Sequence, residues 1–156
     1  MPAEALKCKE CQATYELEAS YVCEQCFGPL EVSYDHSSLD DPAALRRKIQ
    51  AGPPSIWRYA DFLPFARRPK TALDAGFTPL IRSERLADRL GVGEVWVKND
   101  AANPTHSFKD RVVSVASTRA RELGYEVLAS ASSGNLANSV AAQDGARRRD
   151  DAARAG

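Results

Sequence analysis

Four cysteines lie within residues 8–26 as Cys8-x2-Cys11 and Cys23-x2-Cys26, and none follows Cys26. No other feature limits the fold so tightly. A two-residue gap lets both sulfurs of a pair face one point, and two pairs supply the corners of a tetrahedron. Four soft thiolates suit zinc, with iron or no metal as the competing readings. Four protein ligands leave no open position, so the expected role is structural. A module this small needs such a staple to fold. Lys7 and Lys9 flank the first pair and would offset thiolate charge. The N-terminal stretch "MPAEALKCKE" has no apolar signal-peptide core, which points to a reducing, cytoplasmic setting rather than a disulfide scaffold.

Composition narrows the class. The chain has 156 residues, 44% hydrophobic and 27% charged, which fits a soluble globular protein. Lys+Arg and Asp+Glu both number 21, so no net basic field exists to draw nucleic acid or an anionic membrane. No apolar run reaches the length that spans a bilayer.

Four stretches follow along the chain. Residues 1–34 hold the two cysteine knuckles. Residues 35–70 are a connector, with a helix-like "DDPAALRRKIQAG" and then "GPPSIWRYADFLPF", rich in proline and aromatics. Residues 71–142 alternate. "SERLADRLG" predicts a helix stopped at Gly91, and "EVWVK" a strand. From Ser107 to Leu123 the apolar residues Phe108, Val112, Val115, Ala116, Ala120 and Leu123 mark one helix face, with Gly124 as the stop. "YEVLASA" predicts a second strand and "LANSVAA" the start of another helix. Strand, helix, strand, helix is the order of an open parallel sheet with crossover helices, an α/β fold. Residues 143–156, "QDGARRRDDAARAG", offer only alanine as apolar surface. They predict either a solvated charged helix or a tail where the chain has left its natural reading, interrupting the preceding helix.

Lys109, in "NPTHSFKDR", opens the predicted helix. A helix N-terminus disfavours an ammonium, and Phe108, Val112 and Val113 would desolvate it. Such a lysine is a nucleophile toward aldehydes. Taken singly it reads more simply as a surface lysine. One βα unit later, Ser132, Ser133, Gly134 and Asn135 form a strand-to-helix turn whose N–H groups and hydroxyls can hold a carboxylate or phosphate. Both follow the carboxyl ends of predicted parallel strands, where ligands bind in open sheets. Asp110 and Arg111 pair with each other or with near neighbours.

"NPTHSFKDR" resembles the lysine motif of the threonine synthase family, fold-type II pyridoxal-phosphate enzymes, and "SSGNLANSVAA" its asparagine loop. "SIWRYADFLP", "GFTPLIRSERLADRLG" and "EVWVKND" are similar to other segments of that family, in its order. The paired CxxC resembles a zinc-ribbon-like module carried by some members. The resemblance covers roughly residues 6–142. It implies that Lys109 bonds covalently to pyridoxal phosphate and shuttles protons once substrate displaces it. It implies that Asn135 hydrogen-bonds the cofactor's ring hydroxyl and that Ser132, Ser133 and Gly134 bind the substrate carboxylate. The implied reaction converts O-phosphohomoserine and water to threonine and phosphate. A homodimer is expected of the full-length form, with no nucleic-acid or membrane partner. The family's downstream phosphate-binding loop does not occur here, so the chain reads as an inactive N-terminal fragment. Competing readings are a related enzyme of the same cofactor, such as a cysteate synthase or a serine/threonine dehydratase, and a non-enzymatic zinc-ribbon module. His36, His106 and the run at 67–70 read as solvated loop residues, and Trp57 and Trp96 as core.

Overall fold

The structure is a computed structural model and describes residues 3–35, 37, 41–65 and 73–155. His36 and the basic run at 67–70 lie outside the described residues. The chain divides into two units: residues 1–53, 57–70 and 115–128 form the first, and residues 54–56, 71–114 and 129–156 the second.

In the first unit, β1 (Ala3–Cys8) lies between β2 (Thr14–Tyr15) and β3 (Leu30–Tyr34) in an antiparallel sheet. Leu6 faces Tyr15 on one side and Val32 on the other. The knuckles fold alike. Gln12 and Phe27, each just after the second cysteine of a pair, adopt left-handed backbone with φ of 65° and 58°. Each amide then reaches back to the first cysteine's carbonyl, at 3.2 Å from Gln12 to Cys8 and 2.9 Å from Phe27 to Cys23. A phenylalanine in that conformation is strained. Helix α1 (Pro42–Ala51) starts at Asp41, whose carboxylate accepts from the Ala43 and Ala44 amides, with Pro42 in the first turn. A 3₁₀ segment, Ile56–Phe62, follows. It buries Trp57, whose ring meets Phe65 at 5.5 Å between centroids.

The second unit holds β4 (Leu80–Arg82), α2 (Glu84–Leu90), β5 (Trp96–Lys98) and α4 (Asn135–Ala155), together with the first turns of α3 (Lys109–Glu122). Gly91 ends α2 in the left-handed region at φ 65°, and Gly124 follows α3 at φ 84°, as their positions predict. No helix among the described residues is long and apolar enough to cross a membrane.

Four expectations need correction. Among the described residues of this unit the only paired strands, β4 and β5, run antiparallel, and residues 125–131 carry no strand. A parallel strand takes its hydrogen bonds from flanking strands, and none here flanks that segment. Tyr125 and Val127 are accordingly exposed. Trp96 is half exposed because β5 pairs only with β4. Helix α4 runs unbroken through Gln143 to Ala155, the charged-helix alternative for residues 143–156 and not an interruption of the preceding helix. Alanine and arginine have high helix propensity, and Asp144 accepts from Arg148 at 2.8 Å one turn on. Finally, α3 is rotated from the predicted face. Phe108, Val112 and Ala116 are exposed, while Asp110, Val113, Ser114, Ser117 and Thr118 are buried.

Candidate cofactor and metal sites

The rotation of α3 has a polar cause. Asp110 has no exposed surface, and a carboxylate is buried only where its lone pairs are filled. Its Oδ2 accepts from the Thr105 amide at 2.7 Å, and its Oδ1 from the Thr105 hydroxyl at 2.6 Å and the Ser139 hydroxyl at 2.6 Å. One turn further on both helices, the Gln143 side-chain amide donates to Ser114 Oγ at 2.5 Å. Asp110–Ser139 and Ser114–Gln143 are both 29 residues apart, so they form two rungs between α3 and α4. Rungs advancing together on both helices require those turns to run parallel. The two rungs turn these polar positions of α3 toward α4, and Phe108 and Val112 are left exposed. At position 147, one turn beyond Gln143, Arg147 Nε and Nη1 are buried without a hydrogen-bond partner among the described residues.

The loop before Lys109 is braced at every step. Asn103 is buried; its Oδ1 accepts from the Gly76 amide at 2.9 Å and its Nδ2 donates to the Asp100 carbonyl at 2.9 Å. Gly76 has φ of 87°, and a Cβ there would meet Ile56 Cγ2 at 2.6 Å, so glycine is required. Arg111 does not pair with Asp110. It forks onto Asp100, with Nη1 to Oδ2 at 2.6 Å and Nη2 to Oδ1 at 2.9 Å, and reaches Thr78 Oγ1 at 3.1 Å. Lys98 Nζ donates to the Thr78 carbonyl. The Arg111 guanidinium, with the Thr78 hydroxyl second, holds the Asp100 carboxyl below its usual range. His106 is an exposed loop residue whose Nδ1 hydrogen-bonds the Ala101 carbonyl at 2.9 Å.

Ser107 caps α3, accepting from the Lys109 amide at 3.2 Å. Lys109 is half-buried, with Nζ 4.7 Å from the centre of the Phe108 ring. Of the three neighbours expected to cover the amine, Val113 is buried, while Phe108 and Val112 are 53% and 55% exposed. At α4, Gly134 O accepts from the Asn138 amide at 3.1 Å and Gly134 N donates to Ser132 Oγ at 3.2 Å. Ser133, Gly134 and Asn135 are exposed, and nothing lies within 4 Å of where a Gly134 Cβ would stand. The turn is therefore open at a helix N-terminus, where the first amides have no intrahelical partner. An amine at the start of one helix and this turn at the start of its parallel neighbour fit a cofactor with an aldehyde and anionic groups.

In the first unit, the sulfurs of Cys8, Cys11, Cys23 and Cys26 all lie within 4.8 Å of one another. Cys8 meets Cys26, and Cys11 meets Cys23, at 3.5 Å. A tetrahedron with metal–sulfur bonds of about 2.3 Å has edges of about 3.8 Å, so the cluster fits one zinc-sized ion. All four cysteines are free of disulfides. Lys9 pairs with Glu31 at 2.9 Å. The Tyr15 hydroxyl, 3.0 Å from Cys23 Sγ, is the largest influence pulling that thiol down to about 6. Cys11 gains from the Ala13 amide, but its sulfur neighbours and burial push it up to about 12.

Residues 71–143 match the family model described as pyridoxal-phosphate-dependent enzymes. Over most of its length the chain is similar to threonine synthases. It is 43% identical over 137 residues to the threonine synthase of Methanosarcina acetivorans, covering 87% of this chain and 33% of that protein. It is 44% identical over 138 residues to that of Methanocaldococcus jannaschii, covering 87% of this chain and 34% of that protein. A shorter match, 40% identity over 75 residues, is to a 2-amino-4-ketopentanoate thiolase beta subunit of an unknown prokaryotic organism, covering 44% of this chain and 16% of that protein. The chain thus spans about a third of the length of the threonine synthases it matches. No solved structure matches.

Lys109 and Asn135 stand at the starts of α3 and α4, and the four cysteines converge, where the sequence puts them. Sequence reasoning missed the partners of Asp110 and Arg111, and it missed Tyr15. The shared 29-residue offset of two polar pairs was a usable signal, but only once α3 and α4 were taken as adjacent.

Proposed function

We propose that the protein to which this sequence belongs is a threonine synthase, forming L-threonine and phosphate from O-phosphohomoserine and water. The observation that carries this reading is the pairing of Lys109 and the Ser132–Asn135 turn at the starts of two helices pinned side by side by buried polar rungs. Lys109 would hold pyridoxal phosphate through its amine, and Asn135 would meet the ring hydroxyl. When bound, that group supplies an electron sink for carbanions. The Lys109 amine would carry a proton between substrate carbons. Ser132, Ser133 and Gly134 would receive the substrate carboxylate at the N-terminus of α4. Cys8, Cys11, Cys23 and Cys26 would hold structural zinc, a role supported by four converging sulfurs and no fifth protein ligand among the described residues. The full-length protein would act in the cytoplasm as a homodimer.

The test is phosphate release from O-phosphohomoserine by the cofactor-loaded protein, expected to require Lys109. The thiolase-subunit match favours one second reading, another reaction of the same cofactor family. A spectral response to β-substituted serines with none to O-phosphohomoserine would favour that second reading.

A further inference from the structure

We propose that Asp110 is a positioning residue for Lys109. This inference rests on Lys109 being the cofactor lysine. Asp110 adjoins Lys109, has no exposed surface, and makes no ion pair with the neighbouring Arg111, whose guanidinium is spent on Asp100. Its three acceptor contacts run in two directions. Two go to Thr105, four residues before Lys109, and fix the loop that leads into α3. The third goes to Ser139, one turn after Asn135 on α4. One carboxylate therefore ties the lysine's loop to the helix that carries the asparagine turn. Its donors are an amide and two hydroxyls. Both carboxylate oxygens are used; an isosteric amide that kept its oxygen on the Thr105 amide would present NH2 to the two hydroxyls, which would have to turn and accept, and the charge-assisted character of all three contacts would be lost. An acceptor that receives three hydrogen bonds at 2.6–2.7 Å leaves the loop and helix little freedom to move apart. The amine and the turn thus keep a fixed spacing before any ligand arrives, which is how pre-organisation strengthens binding.

The experiment treats the chain with pyridoxal phosphate, reduces the product with borohydride, and maps labelled lysines by peptide mass spectrometry. Wild type is compared with Asp110→Asn, Ser139→Ala and Lys109→Ala, each scored per folded molecule by circular dichroism. Asp110→Asn should need at least about tenfold more cofactor for half-maximal labelling of Lys109, with labelling of other lysines unchanged. Ser139→Ala removes one contact and keeps the charge, so it should fold readily and show a several-fold weakening. A merely structural role would lower the folded fraction without changing this selectivity. Labelling of Lys109 in wild type that is matched by both variants would overturn the inference and leave the cofactor reading intact. Wild-type labelling that bypasses Lys109 would overturn both.

Discussion

The two candidate sites are built on different length scales. The cysteine cluster draws every donor from residues 8–26, and two similar knuckles set its geometry. The lysine site spans Thr105 to Gln143 and depends on contacts 29 residues apart. Spacing alone specifies the first. The second is specified by buried polar groups that hydrophobic periodicity does not register. The ribbon should therefore fail when one donor is lost. The helix pair should weaken by increments.

The largest effect is expected from the ribbon. Chelating any metal that the four cysteines hold, or replacing Cys23 by Ser, should unfold the β1–β3 module, since structural zinc contributes of order 10 kcal/mol to folding such modules. Circular dichroism with and without chelator reads this, and a chelator-resistant ribbon would remove metal from the account.

Next is Arg111→Ala, which strips the forked partner from Asp100 and should cost about 1–3 kcal/mol in denaturant unfolding. Its pH signature follows from Asp100. Arg111 holds the folded carboxyl below its unfolded value, so the stabilisation is full above the ordinary carboxylate range. It is lost as pH falls through the depressed folded value. Arg111→Ala should therefore flatten the acid limb of stability and leave the neutral-to-alkaline limb parallel to wild type. An unchanged acid limb would mean this pair does not couple to folding.

Gln143→Ala removes one rung and should cost about 1–2 kcal/mol. A neutral result would confine the helix pairing to Asp110–Ser139. The smallest effect has the opposite sign. Arg147→Met removes a buried guanidinium edge that has no partner among the described residues and should raise stability by about 1 kcal/mol. A loss would show that Arg147 is satisfied in solution.

The same contrast explains what the sequence disclosed. Elements bounded by local chemistry were legible: α1 from Asp41 and Pro42, α2 from Gly91, α3 from Gly124, and the cysteine cluster from its spacing. The facing of α3 was not, because Phe108 and Val112 outweigh Ser107, Ser114 and Ser117 on any hydrophobic scale while Asp110 decides the rotation through its partners. The strand expected at 125–131 has β-branched and aromatic residues, but a parallel strand is a property of its neighbours as much as its sequence. The unbroken α4 was obscured by its lack of large apolar side chains, although alanine and arginine favour helix without them.

The account centres on Lys109 as the residue that holds the cofactor. The most direct measurement is the absorption spectrum of the chain with pyridoxal phosphate beside Lys109→Ala, both confirmed folded. The account predicts a protein-bound cofactor band that saturates in wild type and is lost in the variant. An equal band in both, or none in wild type, would contradict it.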